Sequence, residues 1–144
     1  MDAIKMIDCQ VPLIDISVPA GFPSPATDYL EQRINLNNFL IKHPLSTFVV
    51  KCTGDSMINA FIPPVCYLVV DRSLTAKNGD IVLAYVNGGF TVKYLQINDY
   101  KCRLIAANKK VKDIEIPNES DLIIWGVVTS IISDPKDFRH VCFG

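Results

Sequence analysis

Two residues of this chain are placed where a serine and a lysine could act together. Ser56 lies in the sequence Gly54-Asp55-Ser56-Met57, directly after an apolar run, and Lys93 interrupts the apolar stretch 90–95. A lysine in apolar surroundings tends to lose its proton, because desolvation disfavours the charged form. A neutral amine beside a serine hydroxyl is a general base beside a nucleophile. The pair therefore predicts a hydrolase.

Each of these motifs also has an ordinary structural interpretation. The Gly-Asp-Ser-Met sequence could be a turn whose polar side chains hydrogen-bond to the backbone. Lys93 could extend to solvent from an edge strand. The only histidines are His43, which precedes a proline, and His140 in the polar tail, and neither has a setting for a Ser-His-Asp triad. If Ser56 is a nucleophile, Lys93 is therefore the best base that the chain offers.

The sequence from Thr47 onward is typical of strands and turns. Six stretches are rich in β-branched or aromatic residues: 48–50, 67–70, 81–86, 90–97, 103–106 and 122–132. Asn87-Gly88 separates two of them and predicts a type I′ hairpin, because both residues tolerate a positive φ. Alternation places Lys93 on the same strand face as Thr91 and Leu95, and both faces are largely apolar, so we expect Lys93 to be partly buried.

The first 27 residues differ from the rest of the chain. They contain four prolines and Gly21, which predict an extended arm. Within this arm, residues 11–18 are predicted to form a short strand that lies in a groove. Ser24-Pro25 is typical of a helix start. The apolar spacing over 29–41 predicts short helical turns that end at His43-Pro44. We expect a flexible arm over 1–27 and one domain over 28–144.

Composition argues against several classes of function. The chain has 144 residues, a formal net charge of −1 and no basic run longer than Lys109-Lys110, so tight unaided DNA binding is not expected. It lacks both the roughly 18 consecutive apolar residues of a membrane span and the apolar run of a signal peptide, which predicts a cytoplasmic location. Five dispersed cysteines without a Cys-x-x-Cys pair predict free thiols, no metal site and no cofactor: Cys9, Cys52, Cys66, Cys102 and Cys142.

Six motifs occur in a fixed order between residues 20 and 128, and the resemblance that they carry runs from about residue 11 to residue 128. They are Ala20-Gly21-Phe22-Pro23-Ser24-Pro25-Ala26, Gly54-Asp55-Ser56-Met57, Val70-Asp71, Gly79-Asp80-Ile81-Val82, Phe90-Thr91-Val92-Lys93-x-Leu95 and Gly126-Val127-Val128. With this set the chain resembles the LexA group of self-cleaving proteins, and most closely its SOS mutagenesis branch. Any single motif occurs by chance in unrelated proteins, whereas the ordered set is specific.

The resemblance implies a mostly-β, LexA-like peptidase domain of curved antiparallel sheets, with short helices and an extended N-terminal arm. It implies that Ser56 attacks the Ala20-Gly21 bond of the chain's own arm and that neutral Lys93 takes the serine proton. Small side chains on both sides of that bond suit a narrow cleft. It also implies a homodimer, stimulation by RecA filaments on single-stranded DNA, and binding of the shortened form, residues 21–144, to the catalytic subunit of a translesion, UmuC-like polymerase.

Other interpretations are kept beside this one. The C-terminal half of a LexA-type or phage repressor would need a helix-turn-helix domain ahead of the cleavage site, where 20 residues stand. A signal peptidase with the same two residues would need a membrane anchor, which the sequence does not predict, so this alternative is not expected. A dimeric binding module of the same fold would carry an inert Ser-Lys pair.

One position departs from the pattern of the group. Val65-Cys66 stands where the group usually has glycine followed by an acidic residue. A β-branched residue adopts a positive φ only at a cost. We therefore expect that this turn takes another form, helped by Pro63-Pro64, or is locally strained.

Overall fold

The computed structural model describes residues 10–15, 18, 20–22, 30–118 and 121–138. The chain divides into two compact units, one up to Lys42 and the other from His43. The described residues form nine strands, β1 to β9, and one short α-helix, α1. Among them, no helix is long and apolar enough to cross a membrane.

The first unit is built on an antiparallel ribbon. Its elements are β1 (Gln10–Asp15), β2 (Leu30–Asn35) and α1 (Leu36–Leu40). Gln10 pairs with Asn35 at one end of the ribbon. Asn35 also caps the helix, because its Oδ1 accepts hydrogen bonds from the backbone N–H groups of Asn37 and Asn38 at 2.9 and 3.3 Å.

The helical turns predicted over 29–41 are wrong for most of that segment. Residues 30–35 form strand β2, and the helix begins only at Leu36. The apolar spacing fits a helical face, but an isolated helix shorter than about 12 residues is marginal in water. Pairing with β1 satisfies the backbone of β2 instead. The strand expected within 11–18 is confirmed as β1, which pairs with β2, and Ser24-Pro25 lies outside the described residues.

The second unit contains an antiparallel sheet of seven strands in the order β3-β4-β9-β5-β6-β7-β8. Their bounds are β3 (Thr47–Thr53), β4 (Val65–Asp71), β5 (Ile81–Val86), β6 (Gly89–Asn98), β7 (Lys101–Ile105), β8 (Ile114–Ile116) and β9 (Leu122–Ile132). The mostly-β prediction is confirmed, and each of the six predicted strand stretches lies in or overlaps a strand. Only the short β8 among these seven was not predicted.

The predicted hairpin joins β5 to β6. Asn87 and Gly88 have φ values of 52° and 81°, and Val86 pairs with Gly89 on either side of them. Positive φ at both turn residues is the requirement of a type I′ turn, which matches the twist of the flanking strands. The register that this turn sets places Lys93 opposite a residue of β5, in the interior of the sheet.

Strand β9, which lies between β4 and β5, carries an irregularity beside the candidate site. Along β5 the pairing passes from Gly126 directly to Ile124, so that Trp125 is an extra residue on β9. Such a bulge redirects a side chain. A Cβ atom at Gly126 would lie 2.6 Å from Val70 Cγ1, which explains why glycine is required where β9 passes β4.

The buried core consists of two clusters. One contains Met57, Ala60, Ile62, Cys66, Leu68, Val70, Leu83 and Val92, and the other contains Val82, Ala84, Val86, Leu95, Cys102, Leu104, Ile116 and Val127. The first cluster includes three residues that closely follow Ser56 in sequence. Because burial of a large apolar side chain contributes about 1.5–3 kcal/mol, this cluster anchors the serine turn firmly to the sheet.

At Val65, where the sequence departs from the pattern of the LexA group, the turn takes a different form. Val65 lies in strand β4 opposite Thr53 and is not among the described residues with positive φ. The left-handed conformation in this turn falls on Phe61, with φ of 64°. Two prolines, Pro63 and Pro64, then lead the chain into β4.

Candidate active site

Ser56 lies in a tight turn that follows strand β3. Gly54 opens the turn with φ of 95°, a conformation that glycine adopts without strain, and its N–H donates to Pro64 O at 2.9 Å. The N–H of Ile58 donates to Asp55 O at 3.2 Å, which closes the turn around the serine. The turn therefore presents a half-buried hydroxyl at the end of the strand.

A loop after strand β7 supports this turn from outside. The N–H of Ala107 donates to Ser56 O at 2.8 Å, and the carbonyl of Ala107 accepts from the N–H of Asn59 at 2.8 Å. The side-chain Nδ2 of Asn108 donates to Asp55 O at 2.9 Å. Three hydrogen bonds thus fix the backbone on both sides of the serine side chain.

Lys93 lies on β6 with 5% of its surface exposed. Its Nζ donates to Ser56 Oγ at 3.1 Å, to Thr91 Oγ1 at 2.6 Å and to Val92 O at 3.2 Å. The described part of the chain offers Nζ no carboxylate at ion-pair distance. The structure therefore brings together the serine and the lysine that the sequence singled out.

The surroundings of Lys93 favour its neutral form. Burial lowers the pKa of Lys93, and the opposing effect of nearby Cys52 is the smaller one. A neutral amine has two N–H groups and one lone pair. If the N–H groups stay on Thr91 Oγ1 and Val92 O, the lone pair is left for the proton of the Ser56 hydroxyl, and the arrangement can carry out general-base chemistry.

A largely apolar cleft of about 430 Å³ opens beside Ser56. Strand β3 forms one wall and is an edge strand of the seven-stranded sheet. Phe90 and Trp125 form part of another wall, with ring centroids 5.1 Å apart at an interplanar angle of 80°. An unpaired strand edge beside an apolar cleft can hold an extended peptide through backbone hydrogen bonds and side-chain pockets.

The other residues that the sequence analysis singled out lie elsewhere. Ala20 and Gly21 belong to the first unit and are both exposed. His43 makes a hydrogen bond of 2.5 Å from Nδ1 to Asp71 Oδ2, so it has a structural partner, and His140 lies outside the described residues. No group of metal-ligating side chains was found among the described residues.

Sequence reasoning missed the contribution of Ala107 and Asn108. Asn108 contacts a residue 53 positions earlier in the chain, and only the pairing of distant strands brings the two together. Nothing in the run Ala106-Ala107-Asn108 marks the serine turn as its partner.

Comparison with known proteins assigns the chain to a family. Residues 12–129 match the family model of peptidase S24-like proteins. The chain belongs to the peptidase S24-like family. Membership of this peptidase family indicates a serine peptidase or autoprotease. The resemblance found in the sequence, to the SOS mutagenesis branch of the LexA group, is confirmed.

Named relatives of this S24-like chain cover most of its length. It is 42% identical to the protein MucA of Salmonella typhimurium over 124 residues, which are 85% of this chain and 84% of MucA. It is 39% identical to the protein ImpA of Escherichia coli over 131 residues, 89% of this chain and 87% of ImpA. The LexA repressor of Alcanivorax borkumensis is 34% identical over 84% of this chain but only 58% of the repressor.

Proposed function

We propose that this chain is a self-cleaving serine peptidase of the SOS response that cuts its own Ala20-Gly21 bond. In this proposal Ser56 is the nucleophile and Lys93 is the general base. The observation that carries it is the buried Lys93 Nζ, 3.1 Å from Ser56 Oγ. Because burial disfavours an unpaired ammonium, the lysine is prepared to accept the serine proton.

The proposed reaction proceeds through an acyl-enzyme. Lys93 takes the proton of Ser56 as Oγ bonds to the carbonyl carbon of Ala20, and the carbonyl oxygen becomes an oxyanion. Backbone N–H groups are the donors that stabilise such an anion. Those of Ser56 and Met57 make no hydrogen bond within the described residues and are the nearest candidates. The Ala20-Gly21 bond then breaks, Lys93 returns the proton to the Gly21 amine, and water hydrolyses the ester.

The exposed arm suits the role of substrate. Ala20 and Gly21 are exposed, and no described atom lies within 4 Å of the position that a Cβ of Gly21 would take. A peptide bond held in the same molecule, or in a dimer partner, reaches the nucleophile at a high effective concentration. One cut consumes the substrate, so the reaction acts as a single-use trigger.

The wider biological role is proposed from the family resemblance. RecA filaments on single-stranded DNA would stimulate cleavage in the cytoplasm. The product, residues 21–144, would act as a homodimer and as the accessory subunit of an error-prone, UmuC-like translesion polymerase. MucA and ImpA, which match over most of their own length, support an SOS mutagenesis protein better than a repressor fragment.

The experiment that tests this proposal follows the full chain by mass spectrometry. After incubation at pH 10, near the pKa of about 10.4 of a free lysine, we expect two fragments, residues 1–20 and 21–144. Ser56→Ala and Lys93→Ala should abolish the cut, whereas Lys101→Ala, at an exposed lysine of β7, should preserve it. Intact protein after long incubation, with and without RecA filaments, would instead establish an inert binding module.

A further inference from the structure

Two cysteines face each other across strands β3 and β4. Cys52 and Cys66 are direct partners in the antiparallel register. Cys66 is buried in the first core cluster, and Cys52 packs against that cluster from the same side of the sheet. The two thiols lie close enough for each to shift the pKa of the other. They form a cross-strand thiol pair rather than two separate cysteines.

The geometry of the pair suits a disulfide. Directly opposed residues of antiparallel strands have Cα atoms about 4.5–5.5 Å apart. A disulfide joins residues whose Cα atoms are about 4.4–6.8 Å apart. The bond can therefore form without a large movement of the backbone. Cys102, in contrast, has Ile97 and Ile116 as its neighbours in the sheet.

One thiol of the pair is open to the cleft and the other lies behind it. Cys52 lines the cleft together with Ser56, and Cys66 is 2% exposed. Burial raises the pKa of the Cys52 thiol and raises that of Cys66 to about 11. Both groups are therefore thiols at neutral pH, so peroxide oxidises them slowly and the reaction needs an excess of peroxide.

We propose that Cys52 and Cys66 are a modification site that a peroxide closes to a cross-strand disulfide, and that the closed form cleaves itself slowly. The Cys52 thiol gives up its proton as its sulfur attacks one peroxide oxygen, the O–O bond breaks, and the departing hydroxide takes that proton and leaves as water, which gives a sulfenic acid. The thiolate of Cys66 then attacks the Cys52 sulfur, the S–O bond breaks, and a second water leaves with the proton from Cys66. In total, two thiols and one hydrogen peroxide give one disulfide and two waters.

The slower cleavage rests on the proposed function and on the position of Cys52. Strand β3 runs from Cys52 through Thr53 directly into the turn that carries Ser56. A disulfide ties this wall of the cleft to β4 and turns the Cys52 sulfur toward Cys66. Since a misplacement of about 1 Å can cost roughly 100-fold in rate, a small shift of the turn has a large effect.

The first test asks whether the bond forms. The full chain is treated with hydrogen peroxide, remaining thiols are alkylated, and peptides are mapped by mass spectrometry. We expect a Cys52–Cys66 linked peptide in the unmodified chain and in Cys102→Ala, and none in Cys66→Ala. Recovery of Cys52 as a sulfinic acid, or linked to another cysteine, would overturn the proposal.

The second test asks whether the bond affects the site. Self-cleavage after peroxide treatment should be about tenfold slower or more, and dithiothreitol should restore it. In the Cys52→Ala variant, the rate of self-cleavage should be the same with and without peroxide treatment. A linked protein that cleaves at the untreated rate contradicts the coupling. If untreated protein does not cleave at all, the proposed function fails, while the peptide map still decides whether the site exists.

Discussion

At the scale of single residues, the site depends on how Lys93 is placed. Its Nζ is enclosed by two oxygen acceptors and the serine hydroxyl, and no described carboxylate compensates a charge there. Folding therefore stabilises the neutral amine relative to the ammonium. The same feature that makes this lysine a poor structural residue makes it a suitable base.

This placement predicts the pH dependence of self-cleavage. Because burial lowers the pKa of Lys93, the neutral amine is populated at a lower pH than in a free lysine, whose pKa is about 10.4. The rate should rise with pH and level off with a midpoint below that value. Cleavage rates from pH 6 to pH 11 measure it. A rate that falls or stays constant over this range would contradict a lysine base.

At the scale of elements, the loop after β7 controls the serine turn. Asn108 Oδ1 accepts the N–H of Lys110 at 3.0 Å, which orients the amide so that Nδ2 donates to Asp55 O. Asn108 acts only through the backbone of the turn and is a positioning residue.

Substitution at this position tests the role of the loop. Asn108→Asp keeps the acceptor for Lys110 but places a carboxylate oxygen against Asp55 O, so we expect self-cleavage to slow by about tenfold or more. The midpoint of the pH profile should stay unchanged, because Lys93 is not touched. Asn98→Asp, at an exposed asparagine of β6, is the control. If the Tm and the pH midpoint of the Asn108→Asp variant both shift, the substitution loosens the whole site, and a positioning role for Asn108 is contradicted.

The elements differ in how far the sequence predicts them. The β5–β6 hairpin was predictable because Asn87-Gly88 supplies two positive φ values within two residues. Strand β2 was not predictable, because its apolar spacing also fits a helix. Only the pairing with β1 decides between a strand and a helix. Strand β8 has three residues, too few for a periodic pattern.

The candidate site shows the same limit. Ser56 and Lys93 were predictable from residue type and from the ordered motifs. The contact of Asn108 with the serine turn was not predictable, because its partner lies 53 positions earlier in the chain. The pairing of Cys52 with Cys66 was not predictable either, because it depends on the register of β3 against β4. The chemistry of a site can be read from its residues, whereas its positioning contacts require the fold.

At the scale of the whole molecule, a buried carboxylate ties the beginning of the second unit to its sheet. Asp71 Oδ1 accepts hydrogen bonds from the N–H and hydroxyl of Ser73, at 2.8 and 2.6 Å, and from the hydroxyl of Ser46 at 3.1 Å. His43 binds the other oxygen. The hydrogen bonds from Ser73 and then from His43 hold the pKa of Asp71 well below its usual range.

This carboxylate predicts a loss of stability in acid. A group whose pKa is lower when folded contributes stability above its unfolded pKa, about 3.9 for aspartate, and loses that contribution as pH falls further. Asp71→Asn should therefore reduce the free energy of unfolding at pH 7, and the difference from the unmodified chain should narrow by pH 3. Urea unfolding at both values measures it, with Asp99→Asn in the exposed β6–β7 turn as control. A difference that is independent of pH would rule out the carboxylate as its source.

The ribbon of the first unit gives the proposed cut a further consequence. Strand β1 precedes the Ala20-Gly21 bond and strand β2 follows it, although the two strands pair from Gln10 with Asn35 to Asp15 with Leu30. Hydrolysis would turn a pairing within one chain into an association between two molecules, which weakens on dilution. Once the short piece diffuses away, β2 is left with a row of backbone donors and acceptors that can pair with a strand of another protein. In the intact chain, β1 occupies that edge of β2 and so competes with any other strand for it. Cleavage of the single Ala20-Gly21 bond would remove this competition.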